Sequence, residues 1–358
     1  MKRIFNVIQK EAGKLMLLTV LGGAIVSCDS VLDFHEGPCN YYQVKFAYEY
    51  NMKFKNLFSD QVKTVTLYAF DEAGNFVTQQ TAEGAQLKED TTYTMALELD
   101  PGNYHFVTWA GLDNQSFAIP VMRQNSSKVT ELNVKTNRVT RNDSLLVEHS
   151  LSPLWHGENS NEEILSRSVR NNHIIKVPLL KNTNIIRVII AQGYGTNGAP
   201  KLASRAISKS AFNYTLTDNN GYMKYDNSLL SDDKLNYKPY SYNDTIVNSR
   251  SWGDPAQDYN ATVALISTAR LVDSQAPSLN IKINETGTNF LSNFDVNKYL
   301  EMYFADIIKK EYPKMTYQEW LDREDIFTIT FFAGDALNLI KTVIVINGWK
   351  IQLNDFEL

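Results

Sequence analysis

Two cysteines, five histidines and a few clusters of acids and amides are the residues of this 358-residue chain whose types could do chemistry. Cys28 has the most specific surroundings. Lys2, Arg3, Lys10 and Lys14 precede an uncharged run from Leu15 to Ser27, and Cys28 follows it. A basic stretch, a short apolar stretch and small residues before a cut make an export signal. The run is shorter than the ~20 apolar residues that span a bilayer. Ile25-Val26-Ser27-Cys28 reads as a lipobox, whose chemistry is cleavage before the cysteine and acylation of its thiol. Each acyl methylene then contributes ~0.8 kcal/mol of membrane binding. An ordinary secretory signal with an incidental cysteine is the alternative.

The remaining constellations have plainer readings. Gly193-Tyr194-Gly195-Thr196-Asn197-Gly198 matches G-x-G-x-x-G after an apolar strand. A dinucleotide site needs a helix opening at the last glycine, so that its amides meet the pyrophosphate. Pro200 and a Ser-rich, weakly periodic segment follow instead, so a loop between strands is expected. His35, His105, His149, His156 and His173 lack partners at metal-ligand spacing and read as structural or surface residues. Nothing local activates Cys39, which reads as a small apolar residue. Asp218-Asn219-Asn220-Gly221 and Asp226 offer oxygens to a calcium ion, but turn formation accounts for them equally; an ion there stays open. Asp322-Arg323-Glu324-Asp325 could supply a carboxylate pair, with a capped, solvated turn as the default. No nucleophile elbow or phosphate loop occurs. No catalytic, cofactor or metal residue is therefore named. The 19 Tyr and 5 Trp could stack on sugars, although aromatics in a β protein more often fill strand faces.

Composition bounds what must position these groups. Loss of 27 leader residues leaves 331 of the 358, and two domains are expected. At 43% hydrophobic residues the chain can pack a core. A leader carrying +3, removed from a chain of −5, leaves −8. That balance argues against nucleic acid as partner. With Cys28 acylated, Cys39 has no thiol to pair with, so packing alone must hold the core.

Residues 28–40 are polar and read as a spacer from the lipid. Val44, Phe46, Tyr48 and Tyr50 alternate with polar or small residues, the period of a half-buried strand. Val62–Phe70 and Asn75–Gln80 flank a hairpin-type connection at Asp71-Glu72-Ala73-Gly74. Thr92–Leu99 and Tyr104–Trp109 flank Asp100-Pro101-Gly102-Asn103, a turn with proline fixing one dihedral. Short strands follow near Val129–Val134 and Ser144–His149. Residues 157–172 are polar, and the domain boundary is expected at about 165, dividing 41–165 from 166–358. Strands resume at Ile174–Leu180 and Ile185–Ala191, and polar loops are expected from 218 to 260. Val296, Leu300, Phe304, Ile307 and Ile308 share one helical face, with Asp295 as N-cap and Pro313 as terminator. Ile326–Phe332 and Thr342–Asn347 read as strands. Many short strands with turns between them predict a mainly β chain of sandwich type.

The chain resembles the FimB-type fimbrial anchor family, lipoprotein subunits at the base of type V pili. The likeness rests on Cys28-Asp29-Ser30-Val31-Leu32, Val65-Thr66-Leu67-Tyr68-Ala69-Phe70-Asp71, and Leu99-Asp100-Pro101-Gly102-Asn103-Tyr104 running to Trp109-Ala110-Gly111-Leu112. It continues through Asn184-Ile185-Ile186-Arg187-Val188, Asn220-Gly221-Tyr222 with Asp226-Asn227, and Ser267-Thr268-Ala269-Arg270-Leu271. It ends on Gln318-Glu319-Trp320-Leu321-Asp322-Arg323-Glu324-Asp325 and Ile346-Asn347-Gly348-Trp349. The resemblance implies two tandem transthyretin-like β-sandwich domains, with a short helix in the C-terminal one. It implies no catalysis and no cofactor. It implies a surface-exposed outer-membrane lipoprotein held by acyl chains on Cys28, partnered with a fimbrial shaft subunit through β-strand exchange. An accessory or tip subunit, or a glycan-binding lipoprotein, are the alternatives.

Two readings of the residues bear on this. Val343, Ile344, Val345 and Ile346 form an apolar run, and Trp349, Ile351 and Leu353 alternate with Lys350, Gln352 and Asn354. Val343, Val345, Trp349, Ile351 and Leu353 are thus the strand-exchange candidates, although the same tail could be the last strand of its own domain. Arginine is also absent from Asp29 to Met122. Shaft subunits of this resemblance lose their first strand to an arginine-specific protease. Here that strand, near Val44–Tyr50, has no following arginine to cut, although Lys53, Lys55 and Lys63 remain open to other proteases.

Overall fold

The alternation that opens the strand pattern is realised at once: Val44, Phe46 and Tyr48 are all buried. A computed structural model describes residues 42–89, 93–165, 174–194, 207–248, 258–334, 337, 339–346 and 349–353. The described strands begin with β1 (Tyr42–Ala47), β2 (Thr64–Asp71), β3 (Phe76–Glu83), β4 (Met95–Leu97), β5 (Gly102–Ala110) and β6 (Phe117–Ala118). Next come β7 (Val134–Thr136), β8 (Val139–Arg141), β9 (Ser144–Val147), β10 (Trp155–Ile164), β11 (Ile174–Lys181) and β12 (Thr183–Tyr194). Then follow β13 (Phe212–Asp218), β14 (Tyr222–Met223), β15 (Leu235–Tyr237), β16 (Pro239–Asn248) and β17 (Asp258–Ala269). The last are β18 (Ser278–Ile283), β19 (Asn289–Asp295), β20 (Ile326–Gly334), β21 (Leu339–Ile346) and β22 (Trp349–Leu353).

The first sheet runs β3-β2-β5-β10-β11-β1-β4. β10 and β11 meet only at Trp155–Gly157 against Leu179–Lys181. The sheet turns a corner there, and its two wings enclose one core that joins Val44, Phe46 and Val177 to Val65, Leu67 and Phe106. Gly157 makes the corner possible: a Cβ at this position would lie 2.7 Å from the Pro178 carbonyl and 2.7 Å from Val177 Cγ1. β1 lies inside this sheet, parallel to β11 and antiparallel to β4. The turn at Asp100–Asn103 does not close a hairpin, because β4 pairs with β1 while β5 pairs with β2 and β10.

The second sandwich stacks the sheet β16-β17-β12-β20-β21-β22 on the sheet β19-β18-β13-β15-β9-β8. Ile186, Val188, Ile329 and Phe331 pack with Phe212, Leu216, Leu279 and Ile281 between them. The same core continues onto Tyr68, Phe70, Val107 and Trp109, the face of β2 and β5 turned away from the first core. The two sandwiches therefore share apolar surface instead of hanging on a linker. A small sheet β14-β7-β6 bridges beside them. The helix begins where expected: Asp295 accepts from the Lys298 N–H at 3.1 Å and caps Val296–Tyr303. It continues through a π turn over Phe304–Ile308 to Glu311. The mainly β expectation holds, with sandwiches and a short helix in the C-terminal part.

Two expectations are corrected. The strand pairing does not divide at about 165. β11 completes the first sheet, whereas β8 and β9 lie in the second sandwich, where β9 runs parallel to β15. The polar stretch taken for a boundary starts inside β10. Beyond the corner β10 has lost β11 and keeps β5, so Glu158–Glu163 line an edge open to water. The region 218–260 is likewise no run of loops. β16, with its Ser241–Ile246 stretch mostly exposed, is the outermost strand beside β17. In both places an edge strand carries the polar residues by which sequence recognises a loop.

Candidate assembly interface

The five strand-exchange candidates fall on a hairpin at the end of the second sandwich. β21 pairs antiparallel with β20, and β22 with β21. The register divides the candidates. Val343 stands opposite Gln352 and Val345 opposite Lys350, whereas Ile344 stands opposite Ile351 and Ile346 opposite Trp349. Partners directly opposite share a face and neighbours along a strand alternate. Val343 and Val345 therefore occupy one face, and Trp349, Ile351 and Leu353 the other. The second group is in register with Ile329 and Phe331, both fully buried in the core. β21 and β22 thus continue the sheet from β20, and β22 is its outermost strand.

The other sheet edges are poorer templates for a partner strand. β4 and β8 are three residues long. β19 departs twice from regular register, with Asn293 at φ +51°. β3 is largely polar and exposed. β16 is crossed by the turn at Lys209, whose N–H donates to Asp244 Oδ1 at 2.5 Å. Short length, bulges and covering loops are how native edges avoid pairing. β22 carries none of them among the described residues.

A buried polar knot sits where β12 and β20 begin and β17 ends. Asp322 is 6% exposed and receives Arg270 Nε at 2.7 Å and Nη2 at 2.9 Å, a two-point fork. Gln318 Nε2 donates to the same carboxylate at 2.8 Å and to the Leu271 carbonyl at 3.1 Å. Burial lifts the Asp322 carboxyl above its ordinary range even though the arginine pulls it down. Asn220 Nδ2 donates to the carbonyls of Ala269 and Arg270 at 3.1 Å each, and the Tyr237 hydroxyl donates to Asn220 Oδ1 at 2.7 Å. Asn184 Nδ2 donates to the Glu324 carbonyl at 2.9 Å and its Oδ1 accepts from the Leu271 N–H at 3.0 Å. Arg270 also reaches the Asn227 carbonyl at 3.3 Å. Segments far apart in sequence, around 184, 220, 227, 270 and 318–325, thus meet in one network. The solvated turn expected at Asp322–Asp325 is corrected. Asp322 and Glu324 are buried: Asp322 takes the Arg270 fork just past the end of β17, and the Glu324 carbonyl accepts from Asn184 of β12.

Other singled-out residues do not gather into a site. His156 is buried, its Nε2 2.6 Å from the Tyr225 carbonyl, and burial pushes its pKa down to about 4. His105 pairs with Glu158 at 2.7 Å. Asp218 is buried, with Oδ2 unpartnered, and burial pushes its carboxyl up to about 6. Asp226 Oδ1 instead accepts from Ser228. Among the described residues no group of three or more His, Cys, Asp or Glu could hold a metal ion, and no helix is long and apolar enough to cross a membrane. Cys28, Cys39, His35, His173 and the glycine motif beyond Tyr194 lie outside the described residues.

The family model of the fimbrillin-A associated anchor proteins Mfa1 and Mfa2 matches residues 36–355. The chain belongs to this anchor family. A crystal structure of an adhesin candidate from Bacteroides thetaiotaomicron VPI-5482 is 30% identical to it, with a TM-score of 0.71, covering 89% of this chain and 100% of that one. A candidate polysaccharide binding protein of the same strain is 29% identical, with a TM-score of 0.68 and coverage of 88% and 99%. The fimbrial anchor protein Mfa2 from Porphyromonas gingivalis shares the fold at 15% identity, with a TM-score of 0.60 and coverage of 87% and 98%. No curated protein matches the chain. The knot residues Asn184, Asn220, Arg270 and Asp322 all come from segments that carried the family resemblance in the sequence.

Proposed function

We propose that this member of the anchor family is an outer-membrane lipoprotein that holds a fimbria at its base and ends its polymerisation. Cys28 carries the acyl chains. The C-terminal edge β22 couples to the adjacent shaft subunit by strand exchange, main-chain hydrogen bonds supplying affinity and alternate side chains specificity. One observation carries the reading. β1 stays inside the first sheet, between β11 and β4. The first arginine after the leader, Arg123, lies beyond β6. A cut there would detach six strands together, so arginine-specific cleavage cannot open a groove by removing β1 alone. A subunit whose groove stays closed can end a fibre but not extend one, and keeping the N-terminus keeps the lipid.

The test is Cys28→Ala. Intact fibres should move from the cell surface into the medium, measured by immunoblot of cell and supernatant fractions. Fibres that stay with the cells would refute lipid anchoring.

A second reading, glycan binding, has one observation behind it. An open cleft of about 460 Å³ is lined by Tyr240, Tyr242, Lys209, Asn213 and Asn284. Half-buried tyrosines beside amides suit a sugar's apolar face and hydroxyls. The 29% identical relative is itself described as a candidate polysaccharide binder. A glycan array should then show saturable binding that Tyr242→Ala abolishes; an empty array dismisses the reading.

A further inference from the structure

β1 does not end freely. The chain leaving it, residues 48–57, crosses from the first sandwich to the helix Tyr317–Arg323 of the second. The segment is first folded on itself. Asn51 Nδ2 donates to the carbonyls of Tyr48 at 2.9 Å and Lys55 at 2.8 Å. Asn56 Oδ1 accepts from the Tyr48 N–H at 3.0 Å, and the Leu57 N–H donates to the Tyr48 carbonyl at 3.0 Å. It is then tied to the helix. The Met52 N–H donates to the Arg323 carbonyl at 3.1 Å, and Arg323 Nη1 reaches the carbonyls of Glu49 at 3.4 Å and Asn51 at 3.5 Å. The guanidinium lies 4.0 Å from the Tyr50 ring centroid and 5.0 Å from that of Phe54. Glu319 holds it from the other side, accepting Nε at 2.8 Å.

Two residues beyond Arg323, the Tyr48 hydroxyl donates to Asp325 Oδ1 at 3.4 Å, and Lys181, the last residue of β11, pairs with the same oxygen at 2.8 Å. Phe54 keeps φ +51° and half its surface exposed, although neither suits a phenylalanine, while its ring packs on Tyr312 at 5.6 Å. An exposed aromatic held in a sparsely populated conformation points to a role beyond packing.

We infer that residues 48–57 form a strap that locks β1 into the first sheet by fastening its trailing end to the second sandwich through Arg323. An incoming strand could take the place of β1 only after the strap leaves the helix, so the ladder bonds to β4 and β11 are backed by contacts on another body. The lock goes beyond the anchor reading: it is a property of the isolated chain and stands whether or not fibres depend on Cys28.

Hydrogen–deuterium exchange on the full chain tests it. In Arg323→Ala the amides of β1 should exchange about tenfold faster, the scale of losing a charged hydrogen-bond cluster, while β12 and β17 keep their wild-type rates. Tyr50→Ala and Phe54→Ala, at partly exposed positions, should accelerate β1 in the same sense and serve if Arg323→Ala does not fold. Wild-type β1 exchange in the folded variants would overturn the lock. So would equal acceleration of β1 and β12, which would mean general loss of stability.

Discussion

Arg270→Met is expected to destabilise the second sandwich by about 3–5 kcal/mol, the usual cost of stranding one member of a buried ion pair. Asp322 would keep its charge at 6% exposure with only Gln318 as a side-chain donor. The Asn227 carbonyl would lose a donor as well. Urea unfolding followed by tryptophan fluorescence measures the loss. Two further results should accompany it. Arg270→Met with Asp322→Leu should recover most of the stability, because removing both partners leaves no stranded charge. The deficit of the single variant should also shrink on acidification. Burial already raises the folded pKa of Asp322, and loss of the arginine raises it further. The folded state then binds a proton the unfolded chain releases, so stability is regained as pH falls toward the ordinary carboxylate value of about 4. A single variant within about 1 kcal/mol of wild type would show that the fork is incidental.

Deleting residues 349–358 is expected to leave a folded β protein that no longer co-purifies with shaft subunit. β22 is the outermost strand, so its removal breaks one ladder, to β21, and leaves β20 paired with both β12 and β21. Circular dichroism should keep its strand signature while pull-down yield drops about tenfold or more, as when main-chain pairing supplies the affinity. A synthetic peptide of the same ten residues, added in excess, should compete with the full chain. Undiminished co-purification by the truncated chain would remove strand donation through this edge.

The register explains why this edge was only half legible. Periodicity alone grouped Val343 and Val345 with Trp349, Ile351 and Leu353, because all are apolar and near one chain end. The register between β21 and β22 decides which residues stand opposite, and it puts the two sets on alternate faces. Burial along β10 and β16 misled for a related reason. A strand at a sheet edge faces water on its open side, so its composition approaches that of a loop. The knot was legible as residues but not as a site: Asn184, Asn220, Arg270 and Asp322 were each quoted from the sequence, yet nothing in their spacing says that they touch.

By itself the sequence determined the β class, most strand positions, the capped helix at Asp295 and the family likeness. These follow from local periods, turn chemistry and ordered short segments, which a chain carries without folding. Tertiary structure alone decided that β11 belongs with β1, that β8 and β9 belong with β15, and that Arg323 reaches back to Tyr50. Pairings across such separations depend on which surfaces are left to bury once the local elements exist, and no local pattern encodes that choice.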